Sequence, residues 1–314
     1  MRTPVDLAVR VGSVELPNPV MTASGTAGHA DELAAYVDLS ELGAVVVKSL
    51  SAEPWAGNAA PRVHESGVGM LNSVGLQNPG VETWLDRDLP RLEARGARVV
   101  ASIWGFTVES YDKAAAMLAD ASDAVVAVEV NVSCPNVEDR RRMFAHSPSA
   151  TAEAVDAAAA GRRPRWAKLS PNVTDLTEIA GAALGAGAEA LTLINTVMGM
   201  AIDPESGEPR LGAGGGGLSG PAIKPVAVRA VYECRAAFPR AAIVGVGGIS
   251  TAPDAVELLR AGAHAVQVGT ATFADPRAPR RVLRDLERWC RAHDIRRVAD
   301  LTGGSTHDAS GRGG

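Results

Sequence analysis

Ala124-Val125-Val126-Ala127-Val128-Glu129-Val130 runs directly into Asn131-Val132-Ser133-Cys134-Pro135-Asn136. The first seven residues predict a strand buried on both faces. A thiol and two carboxamides then follow at once. A buried strand that ends in reactive and hydrogen-bonding groups marks a site, and seven other runs repeat the design. The full set of predicted strands is 19–23, 44–48, 98–103, 124–130, 165–169, 190–194, 242–245 and 265–268. Each is a continuous apolar run rather than an alternating one.

Between the strands lie predicted helices at 31–38, 81–95, 108–121, 149–159, 175–186, 221–238, 252–261 and 276–293. Asp175 and Pro221 stand where helix starts favour them. Eight strands in strict alternation with eight helices predict an α/β fold, a (β/α)₈ TIM barrel. A doubly wound sheet is the alternative. It favours a GxGxxG turn after the first strand, and Ala23-Ser24-Gly25-Thr26-Ala27-Gly28 imitates that turn only weakly. The segments 7–10 and 13–16 flank Gly12 and predict a short N-terminal β-hairpin. Two connections, 136–148 and 196–220, are long enough to be lids or binding loops. Residues 1–301 are expected to form one domain, and 302–314, rich in Gly and Ser, a disordered tail.

Composition removes several classes of function. The chain has 314 residues, 46% of them hydrophobic and 21% charged, with a net charge of −5. That balance argues against a nucleic-acid partner. No apolar run reaches membrane-spanning length, and residues 1–16 hold charges and no signal-peptide core. Cys134, Cys234 and Cys290 are far apart, which predicts a reduced, cytoplasmic protein without an iron–sulfur centre of its own. The six histidines show no metal-binding spacing, so no metal site is expected.

In a barrel the chemistry sits at the C-terminal ends of the strands. Those ends read Ser24, Lys48-Ser49, Ser102, Asn131 with Cys134, Lys168, Asn195-Thr196, Gly247-Gly248 and Gly269-Thr270. Small residues after strands seven and eight let backbone N–H groups approach a phosphate; the plainer possibility is tight turns. Lys48 and Lys168 would form a positive patch for an anionic ring or a carboxylate, unless they are merely solvated. A Schiff-base lysine is a further option. Asn72, Asn131 and Asn195 suit a ligand with amide or imide edges. Cys134 is either a small buried hydrophobe or a thiolate base acting on a C–H bond. Arg140-Arg141-Arg142 could recognise an anion or form a solvated loop.

Together these residues resemble dihydroorotate dehydrogenase, in its class 1B catalytic-subunit form. The resemblance covers about residues 7–286 and rests on specific motifs. They are Val47-Lys48-Ser49, Gly69-Met70-Leu71-Asn72-Ser73-Val74-Gly75-Leu76-Gln77-Asn78-Pro79-Gly80, Asn131-Val132-Ser133-Cys134-Pro135-Asn136, Lys168-Leu169-Ser170-Pro171-Asn172, Ile194-Asn195-Thr196, Gly217-Leu218-Ser219-Gly220-Pro221, Gly247-Gly248-Ile249 and Val268-Gly269-Thr270. The resemblance implies an FMN-dependent barrel that oxidises dihydroorotate to orotate in pyrimidine synthesis. It implies Cys134 as the base at C5, with the C6 hydride passing to FMN and Lys48 touching flavin and substrate. Asn72, Ser73, Val74, Gly75, Leu76, Asn131, Asn195 and Thr196 would hold the substrate. Ser24, Lys48, Ser49, Ser102, Asn131, Lys168 and Ile194 would line the flavin, and Gly220, Gly247, Gly248, Gly269 and Thr270 its phosphate end.

A homodimer is expected, and the class 1B form further implies a partner subunit carrying FAD and a 2Fe–2S cluster that delivers electrons to NAD, which would make a heterotetramer. A class 1A homodimer using fumarate is the alternative. Related chemistry on uracil or thymine, as in dihydropyrimidine dehydrogenase, and a non-redox phosphate-binding lyase also stay open. Two stretches depart from the family pattern: Ser102-Ile103-Trp104-Gly105, where the family has an Asn, and Val137-Glu138-Asp139-Arg140-Arg141-Arg142-Met143-Phe144 after the proposed base.

Overall fold

A computed structural model gives the structure, which describes residues 4–134 and 143–304. All eight predicted strands are present. In chain order the barrel strands are Val20–Thr22, Val45–Val46, Val99–Ile103, Val125–Asn131, Arg165–Leu169, Ala190–Leu193, Ala242–Val246 and Ala265–Val268. We number them one to eight. They pair in parallel in the order one, eight, seven, six, five, four, three, two. The sheet closes between strands one and two through a Met21–Ala44 bridge, with Gly43 N–H donating to Val20 O at 2.8 Å. The result is the predicted (β/α)₈ barrel. Continuous apolar strands follow from this closure, because each strand has a packed interior on one side and helices on the other.

The N-terminal hairpin is present as Val9–Val11 paired with Val14–Leu16. Asp175 accepts from Thr177 N and Glu178 N and so caps helix Leu176–Gly185. Pro221 opens a single 3₁₀ turn, Pro221–Ile223, that leads into helix Lys224–Ala237.

Three expectations need correction. The predicted helix at 31–38 is two 3₁₀ turns, Glu32–Ala35 and Leu39–Glu41. Asp31 stands at the cap position but makes no capping bond. Its carboxylate pairs with Arg91 and Arg95 of the next helical segment instead. The connection 196–220 is no open loop: it holds strands Val197–Gly199 and Gly216–Ser219. These join Val63–Ser66 and Gly69–Asn72, from the connection after strand two, in a four-stranded antiparallel sheet. The tail prediction fails at its start, since Thr302 Oγ1 donates to Ala263 O at 3.1 Å and Gly303 N–H to Leu259 O at 3.1 Å. Residues 305–314 lie outside the described residues. So does most of the predicted lid, 135–142, with Asn136 and the Arg140–142 triplet.

Candidate active site

The barrel interior sets the floor of the site. Asn131 on strand four pairs in register with Lys168 on strand five, and Lys168 with Thr192 on strand six. One layer below, Glu129 accepts from Gln267 Nε2 of strand eight at 2.8 Å across the barrel. Both residues are fully buried. The Lys168 ammonium stands 3.5 Å from Glu129 Oε1 and donates to Ser24 Oγ at 3.1 Å. A buried carboxylate therefore holds one of the two predicted lysines in place.

Lys48 lies close to Lys168 but has no such counterion. Among the described residues its side chain makes no hydrogen bond or ion pair. Its stem runs over Gly25, where a Cβ would sit 3.5 Å from Nζ. Burial and then the Lys168 charge bring the Lys48 ammonium down to about 8. Two lysines against one buried carboxylate leave the mouth with surplus positive charge.

A chain of amides and hydroxyls continues from there. Ser102 Oγ and Ser49 Oγ are 2.9 Å apart, and Asn131 Nδ2 donates to Ser49 Oγ at 3.3 Å. Asn195 Nδ2 donates to Asn131 Oδ1 at 3.1 Å, while Asn195 Oδ1 accepts from Thr196 N at 2.8 Å. Ser49 and Ser102 are buried beneath the amides. Ser102 thus pairs its hydroxyl with that of Ser49.

The segment Asn72–Leu76 is pinned through its carbonyls. Trp55 Nε1 donates to Gly75 O at 3.0 Å, Asn58 N to Val74 O at 3.1 Å and Asn58 Nδ2 to Ser73 O at 3.0 Å. Gly75 takes φ +72°, and a Cβ there would lie 2.6 Å from Asn58 N. Asn72 itself reaches Gly217 O at 3.4 Å.

At the far end of the mouth Thr270 Oγ1 donates to Ser219 Oγ at 2.8 Å, beside Gly220. Gly247 abuts Ala227 and Ile194. Gly248 has φ +74° and presses on the Lys224 backbone. Gly269 backs onto Ala23. A side chain at Gly220, Gly247 or Gly248 would meet neighbouring atoms within 3 Å. The packing of the chain itself therefore requires glycine here, and the turn presents backbone without side chains.

Cys134 is fully buried. Its Sγ lies 2.7 Å from Tyr111 Oη, 3.1 Å from Gly105 O and 3.4 Å from Asn131 O. Burial pushes the thiol up to about 11, against the pull of the Tyr111 hydrogen bond. Sequence reasoning missed Tyr111 and Glu129. Glu129 left a signal, a lone charge inside an apolar strand, whereas Tyr111 left none. An outer cleft of about 450 Å³ lies between helices Lys224–Ala237 and Ala252–Ala261, on the ring of helices and away from this chemistry. Among the described residues no group of three or more His, Cys, Asp or Glu could hold a metal. No described helix is long and apolar enough to cross a membrane.

The dihydroorotate dehydrogenase family profile matches residues 6–289. This chain belongs to the dihydroorotate dehydrogenase family. Curated relatives in that family are similar over almost the full length. The dihydroorotate dehydrogenase B (NAD(+)) catalytic subunit of Trichlorobacter lovleyi is 46% identical over 298 residues, 95% of this chain and 97% of the relative. The proteins of the same name from Geobacter sp. strain M21 (46% over 299 residues) and Desulforudis audaxviator (48% over 300 residues) cover the same shares. The family is flavin-dependent, and two features of this mouth fit a flavin nucleotide. They are the surplus positive charge at Lys48 and the side-chain-free cradle at Gly220, Gly247 and Gly248.

Proposed function

We propose that this chain is the FMN-dependent catalytic subunit that oxidises dihydroorotate to orotate in pyrimidine synthesis. The observation that carries the proposal is the Lys48 ammonium, without a counterion among the described residues and next in the chain to Ser49, which accepts from the Asn131–Asn195 amide pair. A cation flanked by amides matches a ligand bearing a carboxylate and an imide-containing ring. The carboxylate favours dihydroorotate over uracil or thymine, which have none.

When bound, FMN supplies the acceptor for the hydride leaving C6. The remaining work belongs to the chain. Lys48 binds the substrate carboxylate and borders the flavin. Asn72, Asn131, Asn195 and Thr196 orient the ring, with Ser73, Val74, Gly75 and Leu76 as its pinned wall. Cys134 Sγ takes the proton from C5, so loss of that proton and of the C6 hydride leaves the C5–C6 double bond of orotate. Lys168, fixed by Glu129 and Ser24, offsets the negative charge the reaction delivers to the mouth. Ser24, Ser49, Ser102 and Ile194 complete the flavin wall. Gly220, Gly247, Gly248, Gly269 and Thr270 hold the phosphate.

Electrons must then leave the site. The relatives are named catalytic subunits of NAD(+) enzymes. That name supports a partner subunit as the electron route; we assign it FAD and a 2Fe–2S cluster, as the class 1B resemblance implies, in a cytoplasmic heterotetramer built on a homodimer of this chain. Anaerobic mixing with dihydroorotate is the test. The yellow holoenzyme should bleach, and Cys134→Ala should keep its flavin but lose most of that bleaching. A colourless protein overturns the flavin assignment; full-rate bleaching in Cys134→Ala overturns the base.

A further inference from the structure

Tyr111 is fully buried on helix Val108–Met117. Its hydroxyl lies 2.7 Å from Cys134 Sγ and also 2.7 Å from the Asn131 carbonyl oxygen. The ring packs edge-on against Phe144, with centroids 5.2 Å apart. A phenol has one proton, so it can donate to only one of these two acceptors at a time. Cys134 has a second polar neighbour, Gly105 O at 3.1 Å, which accepts but cannot donate. Among the described residues the side chain able to donate to a sulfur anion here is therefore Tyr111. No lysine, arginine, histidine or carboxylate among the described residues acts on the sulfur. Among the described residues the other polar groups at the sulfur are backbone: the carbonyls of Gly105 and Asn131, and backbone hydrogen bonds from Gly105 and Cys134 that favour the anion.

We infer that Tyr111 is a positioning residue for Cys134: its hydroxyl donates to Sγ while the sulfur is an anion, and to Asn131 O once the sulfur holds a proton and donates to Gly105 O. This rests on Cys134 being the base that takes the C5 proton. The hydroxyl gives the anion a partner in a site that otherwise disfavours charge. After proton transfer the hydroxyl returns to the Asn131 carbonyl, so the phenol keeps an acceptor in both states. Burial itself holds the Tyr111 phenol neutral, raised well above its ordinary value, so it serves as a donor throughout.

The test is the rate of anaerobic flavin bleaching by dihydroorotate in the holoenzyme, followed across neutral and alkaline pH. Tyr111→Phe keeps the ring against Phe144 and removes only the hydroxyl. Its rate should fall about tenfold below the inflection, and raising the pH by about one unit should restore it, the size of one charge-assisted hydrogen bond. A loss that alkali does not rescue, or an unchanged profile, overturns the inference. If Tyr111→Phe does not fold, all three tyrosines can be replaced by 3-fluorotyrosine, which has nearly the same shape and a more acidic phenol. Tyr36 and Tyr232 are exposed, so the profile reports Tyr111. It should move to lower pH, and a fixed profile again overturns the inference. Cys134→Ala separates the two levels. Full-rate bleaching in that variant removes the base, whereas lost bleaching there with an unmoved Tyr111→Phe profile removes only the role of Tyr111.

Discussion

Replacing Lys168 by Met should leave Glu129 as a charge without a counterion in the barrel interior. The two side chains are 5% and 0% exposed, and Nζ stands 3.5 Å from Oε1. At that distance, with an effective dielectric of about 20, the attraction is about 5 kcal/mol. Gln267 serves only the other carboxylate oxygen, and Oε1 has no hydrogen bond of its own. Breaking a buried pair on one side costs about 3–5 kcal/mol, because the remaining charge is stranded. Unfolding entropy of about 2 cal/mol/K per residue converts this to a fall in Tm of about 5–8 °C for a 314-residue chain. The assay is thermal unfolding with the flavin stripped, so that ligand binding does not enter. The double variant Lys168→Met/Glu129→Gln should recover most of the loss, since a neutral amide fills the same space. A fall under about 2 °C, or a double variant no more stable than the single, would refute the view that Lys168 neutralises Glu129.

Three further outcomes follow from the same mouth. Gly248→Ala puts a Cβ 2.9 Å from Lys224 N at φ +74°; it should destabilise the fold by about 1–3 kcal/mol and weaken flavin retention, read as fluorescence released on dilution. Lys48 falls from 10.5 to about 8 in the folded protein. Orotate should therefore bind more weakly as pH rises past 8, a trend that a spectral titration would find absent in Lys48→Met. The unfolded chain binds the extra proton between about 8 and 10.5, so the flavin-free protein should gain stability across that window.

The barrel was legible because its strands are buried on both faces and therefore read as unbroken apolar runs. The strand ends were legible for the same reason: Lys48, Asn131, Lys168 and Asn195 are polar residues placed where an apolar run stops. What stayed hidden depends on partners distant in the chain. The stretch 31–38 reads as a helix, but Arg91 and Arg95 claim the carboxylate of Asp31 at its start. The connection 196–220 reads as a lid or binding loop, yet Gly216–Ser219 is a strand and Gly217 is a glycine because Thr196 packs against it. Glu129 was passed over inside its apolar run, although its charge was the clue to Lys168 above it. Tyr111 is an aromatic at an ordinary helix position, and only the fold brings it to a thiol 23 residues away.

The antiparallel sheet joins the connections after strands two and six, and Asn72 pairs with Gly217 at a separation of 145 residues. Lys48, Cys134 and Lys168 all precede it in the chain. A ribosome thus delivers every reactive group well before the strand that pairs with Asn72 exists. Such a distant pairing is slow to form and repays its ordering only when both ends are in place. The completed mouth is consequently a late product of folding, and tight ligand capture reports a chain that has folded through strand six and beyond.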